Sequence, residues 1–329
     1  MTGYSEQLKL QQQIAKLYAS ITTALAQSLS LTEVQAPLMV ASGSGLQDNL
    51  SGIEQPVRVF VKAQQQDYEV VHSLAKWKRS VLALLECPVG TGILADMKAL
   101  RPDEEALTAR HSVLVEQWDW EQVILPQQRC VAYLQQCVQH IYQVLRKAHQ
   151  AFAPSPISLP EQVTFIHAEQ LRQAYPQLAP KARERAITQQ HQVVFIMGIG
   201  TTLGDGSQHD KRAPDYDDWS TVAKDSQGLA GLNGDLLVWH PQLDDALELS
   251  SMGIRVDASA LQQQLSLHSC EEYAQQAWHQ QLLQGALPLS IGGGIGRSRV
   301  AMWILQQHHI SAVQAPAIEL LPLCGTQAA

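Results

Sequence analysis

Apolar residues Leu8, Ile14, Leu17, Tyr18, Ile21 and Leu25 recur at helical spacings between Ser5 and Ser30, with Gln and Lys in the intervals. That period predicts an amphipathic helix. The run LTEVQAPLMVASG continues as an extended segment through Pro37, and VRVFVKA (57–63) and DYEVVHS (67–73) alternate as a hairpin around the polar tip Gln64 to Gln66. Helical spacing returns from about Gln122 to Phe152, where Pro154, Pro156 and Pro160 close it. QVTFIHA and QVVFIMGIG read as buried strands separated by a helix from about Ala168 to His191. NGDLLVWHP and ALELSSMGIRVD read as another strand pair, and a last helix should follow IGGGIGRSR. The order lacks the regular strand and helix alternation of a doubly wound sheet. It predicts an α/β chain of the α+β type, a mainly antiparallel sheet flanked by helices, with residues 1–329 as a single domain.

Composition narrows the function classes. Of 329 residues 23 are Lys or Arg and 31 are Asp or Glu, a net charge of −8, and 45% are apolar. Disorder is excluded, and the scarcity of clustered cations argues against a broad nucleic-acid-binding face. No stretch approaches the roughly 18 apolar residues of a membrane span, and MTGYSEQLKL lacks the charged and apolar regions of an export signal. Cys87, Cys130, Cys137, Cys270 and Cys324 are odd in number and scattered, which fits a reducing cytoplasm and neither a zinc cage nor a disulfide framework.

Several segments carry candidate chemistry, each with a plainer alternative. GGGIGRSR (292–299) lets backbone approach a phosphate or a flat base, or is simply a glycine turn. In HSVLVEQWDWE (111–121) alternation sets Gln117, Asp119 and Glu121 opposite Glu116, Trp118 and Trp120, so the first three meet either solvent or a polar cavity. Asp235 and Glu248 fall on adjacent predicted strands. Carboxylates brought together there suit Mg²⁺ held with a nucleotide's phosphates, or are turn-flanking acids. APDYDDW (213–219) reads as a mobile lid or a solvated turn, and the cations of HSLAKWKR (72–79) as a generic basic patch on a solvated face.

In order, LTEVQAPL, ALRPDEE to HSVLVEQWDWE, and GGGIGRSR resemble the three motifs of class II aminoacyl-tRNA synthetase catalytic domains. With QDNLSG, VVHSLAKWKR, MKALRPDE, APDYDDW, GLNGDLLVW and ELSSMGIRVD, the chain is similar from end to end to the ammonia-dependent asparagine synthetases, the aspartate–ammonia ligase family. The resemblance implies activation of the aspartate β-carboxylate by ATP and Mg²⁺ as β-aspartyl-AMP, release of pyrophosphate, then attack by ammonia to give asparagine and AMP. It also implies a homodimer built through the first motif and its Pro37, with no separate anticodon-binding or glutaminase domain.

Residue by residue, the resemblance places Arg101 on the α-phosphate, Arg299 against the adenine, His111 near the γ-phosphate and Gly294 in the ATP site. Asp235 and Glu248 match metal-binding acids, with Ser251 beside them. Arg255 and Lys78 match cations that hold the substrate's non-reacting carboxylate, and Ser73, Gln117 and Asp119 complete aspartate recognition. Asp48 and Asp217 match active-site acids, either of which could serve ammonia. Val115 stands where the synthetases commonly carry an aromatic residue. Two rivals share the fold: an aspartyl- or asparaginyl-tRNA charging enzyme, and an inactive regulatory relative, which should have lost Arg101, Asp235, Glu248 or Arg299. Thr2 follows Met1 and no cysteine sits in a G-x-C-x-G turn, so free ammonia, not glutamine, is the expected nitrogen donor.

Overall fold

The computed structural model describes residues 4–51, 54–103 and 107–315. Helix α1 (Tyr4–Ser28) leads into β1 (Leu31–Val34), β2 (Met39–Ala41), β3 (Arg58–Val61), β4 (Gln66–Val70) and α2 (Ala75–Leu84). Strands β5 (Gly92–Leu100) and β6 (Leu114–Val123) form a long antiparallel pair before α3 (Val131–Phe152). Then come β7 (Thr164–His167), α4 (Ala168–Ala174), α5 (Pro180–His191), β8 (Val193–Met197), β9 (Asn233–His240) and β10 (Asp245–Ile254). The described chain closes with α6 (Ala258–Leu267), α7 (Ala277–Leu283), β11 (Ser290–Gly296) and α8 (Arg297–Ile304).

Eight strands make one sheet in the order β1-β5-β6-β11-β10-β9-β8-β7. It is antiparallel from β5 to β8, and a parallel strand is added at each edge, β1 on β5 and β7 on β8. The expected mainly antiparallel sheet flanked by helices is present, together with a small sheet ordered β2-β4-β3 that includes the predicted hairpin. One face of the large sheet is covered by α1, α3 and α8. Ile14, Leu17, Ile21 and Leu25 of α1 pack there with Trp118, Trp120, Leu236, Ile291 and Ile295, burial that drives the assembly of these layers. Trp118 also donates its indole N–H to Thr22 Oγ1 at 2.8 Å, fixing α1 across β6.

Two helix boundaries differ from the pattern-based expectation. Gln122 and Val123 still belong to β6, and α3 starts only at Val131, where the Asp225 carboxylate accepts from the Val131 and Ala132 amides. The helix expected over 168–191 is two helices. Pro176 lacks the N–H that would continue α4, while Pro180 opens α5, where a missing N–H is harmless. GGGIG is a strand and not a turn: none of Gly292, Gly293, Gly294 or Gly296 has a positive φ.

Candidate active site

The opposite face of the large sheet, against which α2 and α5 pack at its two ends, carries the polar half of the β6 alternation. Asp119 and Glu121 project from it, both fully buried, so they meet a polar cavity and not solvent. The neighbouring β11 glycines explain how. A Cβ at Gly292 would overlap the Glu121 carboxylate and one at Gly294 the Gln117 amide, so the bare strand is a floor on which these side chains lie.

Helix α2 closes this cavity. Its Lys76, Lys78 and Arg79 are buried, which overturns the solvated-face reading of HSLAKWKR. Lys78 donates to Asp119 Oδ1, to the Trp120 carbonyl at 2.9 Å and to the Gly293 carbonyl at 3.3 Å, and stands 3.6 Å from Glu121. Arg255 donates from Nε and Nη2 to Glu121 at 2.8–3.2 Å and from Nη1 to Asp217. The result is a chain of alternating charge, Asp119, Lys78, Glu121, Arg255 and Asp217. Burial would raise the Glu121 pKa, but Arg255 and Lys78 outweigh it and hold the group below its ordinary value. For Asp119 burial prevails over Lys78 and Arg255, for Asp217 over Arg255 and Arg212, and both pKa values are raised.

Asp48 is fully buried beneath the first turn of α2. It accepts from Ser73 Oγ at 2.5 Å, the Ala75 amide at 2.6 Å and the Lys76 amide at 3.4 Å, thereby capping that helix from a distant loop. Two of the predicted site residues, Ser73 and Asp48, are therefore one unit. APDYDDW is neither a lid nor a solvated turn. Asp215, Asp217 and Asp218 are buried, Gln264 donates to the Pro214 and Asp217 carbonyls, and the segment forms a fixed wall.

On β10 a bulge decides the geometry. Glu248 and Ser251 are three residues apart, which in a regular strand points them to opposite faces. The register shifts between Glu248 and Ser250, and Leu249 turns into the apolar core. Glu248 thus pairs with Leu237 and Ser251 with Asp235, and all three polar groups share the site face. Asp235 receives Arg212 Nη2 at 2.6 Å on both oxygens. Burial together with the neighbouring Glu248 still raises its pKa to about 6. Glu248 is held below its usual value because Arg299, Lys181, Arg212 and Arg101 outweigh its burial.

Between β10, α8 and the start of β6 lies a cleft of about 530 Å³ lined by Arg101, His111, Gln117, Glu248 and Arg299, among others. Arg101 donates to the His72 carbonyl at 3.1 Å, Arg299 to the Glu248 carbonyl at 3.1 Å, and His111 Nδ1 lies 2.7 Å from Thr108 Oγ1. A recess of about 550 Å³ shares Arg110, His111, Glu248 and Arg299 with this cleft and adds Lys181, Glu184 and Asp245. Arg101, Arg110, Lys181 and Arg299 line these two spaces with Glu116, Glu184, Asp245 and Glu248; Arg110 is paired with Asp245 and Lys181 with Glu184, and an arginine fork suits a phosphate. The residues brought together beyond those expected are Glu121, Arg212, Lys181 and Arg110. Glu121 was visible as the third member of the Gln117/Asp119 face, whereas nothing local in the sequence marks the other three.

A family model described as aspartate–ammonia ligase matches residues 8–320. The chain belongs to that family. Its reaction is the ATP-dependent synthesis of asparagine from aspartate and ammonia, so the family is one of enzymes and ligases. Solved structures agree on the fold. The asparaginyl-tRNA synthetase of Entamoeba histolytica in complex with asparaginyl-adenylate is 15% identical, with a TM-score of 0.66 over 94% of this chain and 66% of that one. The Pyrococcus horikoshii asparaginyl-tRNA synthetase, also with asparaginyl-adenylate, gives 15% identity and a TM-score of 0.66 over 94% and 70%. The chain therefore spans about two thirds of the length of these synthetases. The class II catalytic fold is shared with them.

Proposed function

We propose that the polar sheet face beneath α2 performs the family's reaction through β-aspartyl-AMP, with the arginine-lined cleft holding ATP and the buried charge chain holding aspartate. The observation that carries this is Gln117. It lines the nucleotide cleft and shares a strand face with Asp119 and Glu121, so the two compartments have a common wall.

In the first step the β-carboxylate attacks the α-phosphorus and pyrophosphate leaves. Arg101 neutralises charge on the α-phosphate as five-coordinate phosphorus forms, Arg299 packs against the adenine, and His111 with Lys181 meets the outer phosphates. Gly294 leaves room for this floor. Asp119 takes the α-ammonium. Three of the five N–H groups of Arg255 are used by Glu121 and Asp217, which leaves two for the α-carboxylate, with Lys78, Ser73 and Ser251 completing the pocket. In the second step ammonia attacks the β-carbonyl carbon, AMP departs with the acyl–oxygen bond, and a proton leaves the new nitrogen toward Asp48 or Asp217.

Once Arg212 gives up its contact with the Asp235 oxygens, Asp235 and Glu248 are the acids that would hold Mg²⁺. They are like charges on one face beside the phosphate cations, and the Asp235 pKa of about 6 reflects burial and that crowding. The ion would be held by both carboxylates and the nucleotide's phosphates and would offset charge on the departing pyrophosphate. The proposal includes a single catalytic domain, a homodimer joined through the α1, β1 and Pro37 region, a cytoplasmic setting, ammonia as the nitrogen source and no nucleic-acid partner. No described helix is long and apolar enough to cross a membrane.

Aspartate-dependent exchange of labelled pyrophosphate into ATP, without ammonium, tests the adenylate. Added ammonium should then yield asparagine and AMP. Formation of ADP and phosphate instead would refute the proposal.

A further inference from the structure

Another cavity, about 770 Å³, shares no lining residue with the nucleotide cleft. Gln47 and Asn49, the chain neighbours of Asp48, are part of its wall, together with Lys76 and Asp215. The loop that carries them is fixed to the opposite wall. The Leu50 carbonyl accepts from the Ala213 amide at 2.9 Å and from the Tyr216 hydroxyl at 3.3 Å.

Asp215 is the anomaly in this wall. It is 3% exposed, and a single oxygen, Oδ2, accepts from both Lys76 Nζ at 2.7 Å and His279 Nε2 at 2.9 Å. Its Oδ1 has no hydrogen-bond partner among the described residues. Asp48 and Glu121 are equally buried but place hydrogen bonds on both oxygens. A buried carboxylate oxygen without a donor is costly, and one in a cavity wall calls for a ligand that donates. The acids of the lining, Glu54, Glu69 and Asp215, outnumber its cations Arg58 and Lys76, so the cavity favours a small positive donor.

We propose that this cavity is where the nitrogen substrate enters: ammonium is drawn in past Glu69 and donates an N–H to Asp215 Oδ1 before reaching Asp48. The inference rests on the adenylate reading above and adds to it a separate route, opposite in charge from the nucleotide cleft. Asp215 stays ionised for this role because Lys76 and His279 outweigh its burial and hold it well below the usual carboxylate range. Asp215 is a substrate-binding residue here and takes no part in forming the adenylate.

The test is steady-state kinetics with ammonium varied, beside aspartate-dependent pyrophosphate exchange measured without it. Asp215→Asn should raise the ammonium KM about tenfold to a hundredfold, the worth of one charge-assisted hydrogen bond. The KM values for ATP and aspartate and the exchange rate should stay within twofold. An unchanged ammonium KM, or equal losses for all three substrates, overturns the site. If removing this partner of Lys76 prevents folding, Glu69→Lys carries the test: the ammonium KM should rise roughly two- to fivefold at low ionic strength and recover in salt. No rise overturns the site. A resident metal cation is the competing occupant. Activation by K⁺ at constant ionic strength without any change in the ammonium KM would establish it and overturn the proposal. Absence of exchange in the unaltered protein overturns the adenylate reading and this one together, whereas intact exchange with an unmoved ammonium KM overturns this one alone.

Discussion

Trp120 and Glu121 are consecutive residues of β6, and both are fully buried, on opposite faces of one sheet. On the helix-covered face burial stabilises by itself: Trp118, Trp120, Leu236, Ile291 and Ile295 simply leave water. On the other face, beside smaller apolar clusters, each buried charge of the site opposes folding until a partner of opposite charge arrives, so Asp119, Lys78, Glu121, Arg255 and Asp217 are stable only as a set. One face is tolerant of shape and the other is intolerant of a single missing charge. A site assembled this way is preorganised, as the proposed binding of an amino acid with two carboxylates and an ammonium requires.

Breaking the set should therefore cost more than thinning the core. Glu121→Gln keeps the shape and removes the charge that Arg255 and Lys78 share. It is expected to lower the unfolding free energy by about 3–5 kcal/mol, against about 0.5–1.5 kcal/mol for Ile295→Val on the other face, both read by urea denaturation near neutral pH. The pH dependence follows from the sign of the Glu121 shift. A carboxylate held below its unfolded pKa stabilises above that value and loses the contribution as pH falls, so the gap between wild type and Glu121→Gln should close on acidification.

Next in size is Arg101→Lys, which should lower kcat by about 10²–10³ with the fold intact, because a point charge does not reproduce two parallel contacts to a phosphate. Near-normal turnover would remove Arg101 from the chemistry. The glycines of β11 sharpen the comparison further. A Cβ at Gly294 meets the movable Gln117 side chain, so Gly294→Ala should raise the aspartate KM while stability holds. A Cβ at Gly293 meets Met252 and the Ser251 carbonyl, so Gly293→Ala should show in the melting temperature.

The smallest effect is expected at Glu248. Its charge is one reason the Asp235 pKa is raised to about 6. Mg²⁺ activation of the wild type should strengthen as pH rises through about 6 and Asp235 ionises. Glu248→Gln should shift that midpoint downward and raise the Mg²⁺ concentration needed at neutral pH. An identical pH profile and titration would exclude the pair as the metal site.

Much of this was legible from the order of residues. Alternation in LVEQWDWEQV separates the two faces of β6 outright, and the period of α1 marks the residues that pack on it. The charged partners were less legible because their pairing is non-local: Lys78 meets Asp119 and Glu121 from a helix some forty positions earlier, and Arg212 reaches Asp235 from a loop. HSLAKWKR read as a wet face because charge density alone does not reveal buried counter-charges. The β10 bulge also leaves no local mark, although it alone puts Glu248 and Ser251 on one side. GGGIG was ambiguous for a related reason, since glycine serves a turn and a crowded strand equally well.

The most direct test of the central claim follows oxygen. Aspartate labelled with ¹⁸O in its β-carboxylate, incubated with the protein, ATP, Mg²⁺ and ammonium, should give unlabelled pyrophosphate and AMP carrying one ¹⁸O atom for each asparagine formed. Label in inorganic phosphate with ADP as the nucleotide product, or asparagine formed with unlabelled AMP, would contradict a β-aspartyl-AMP intermediate on this face.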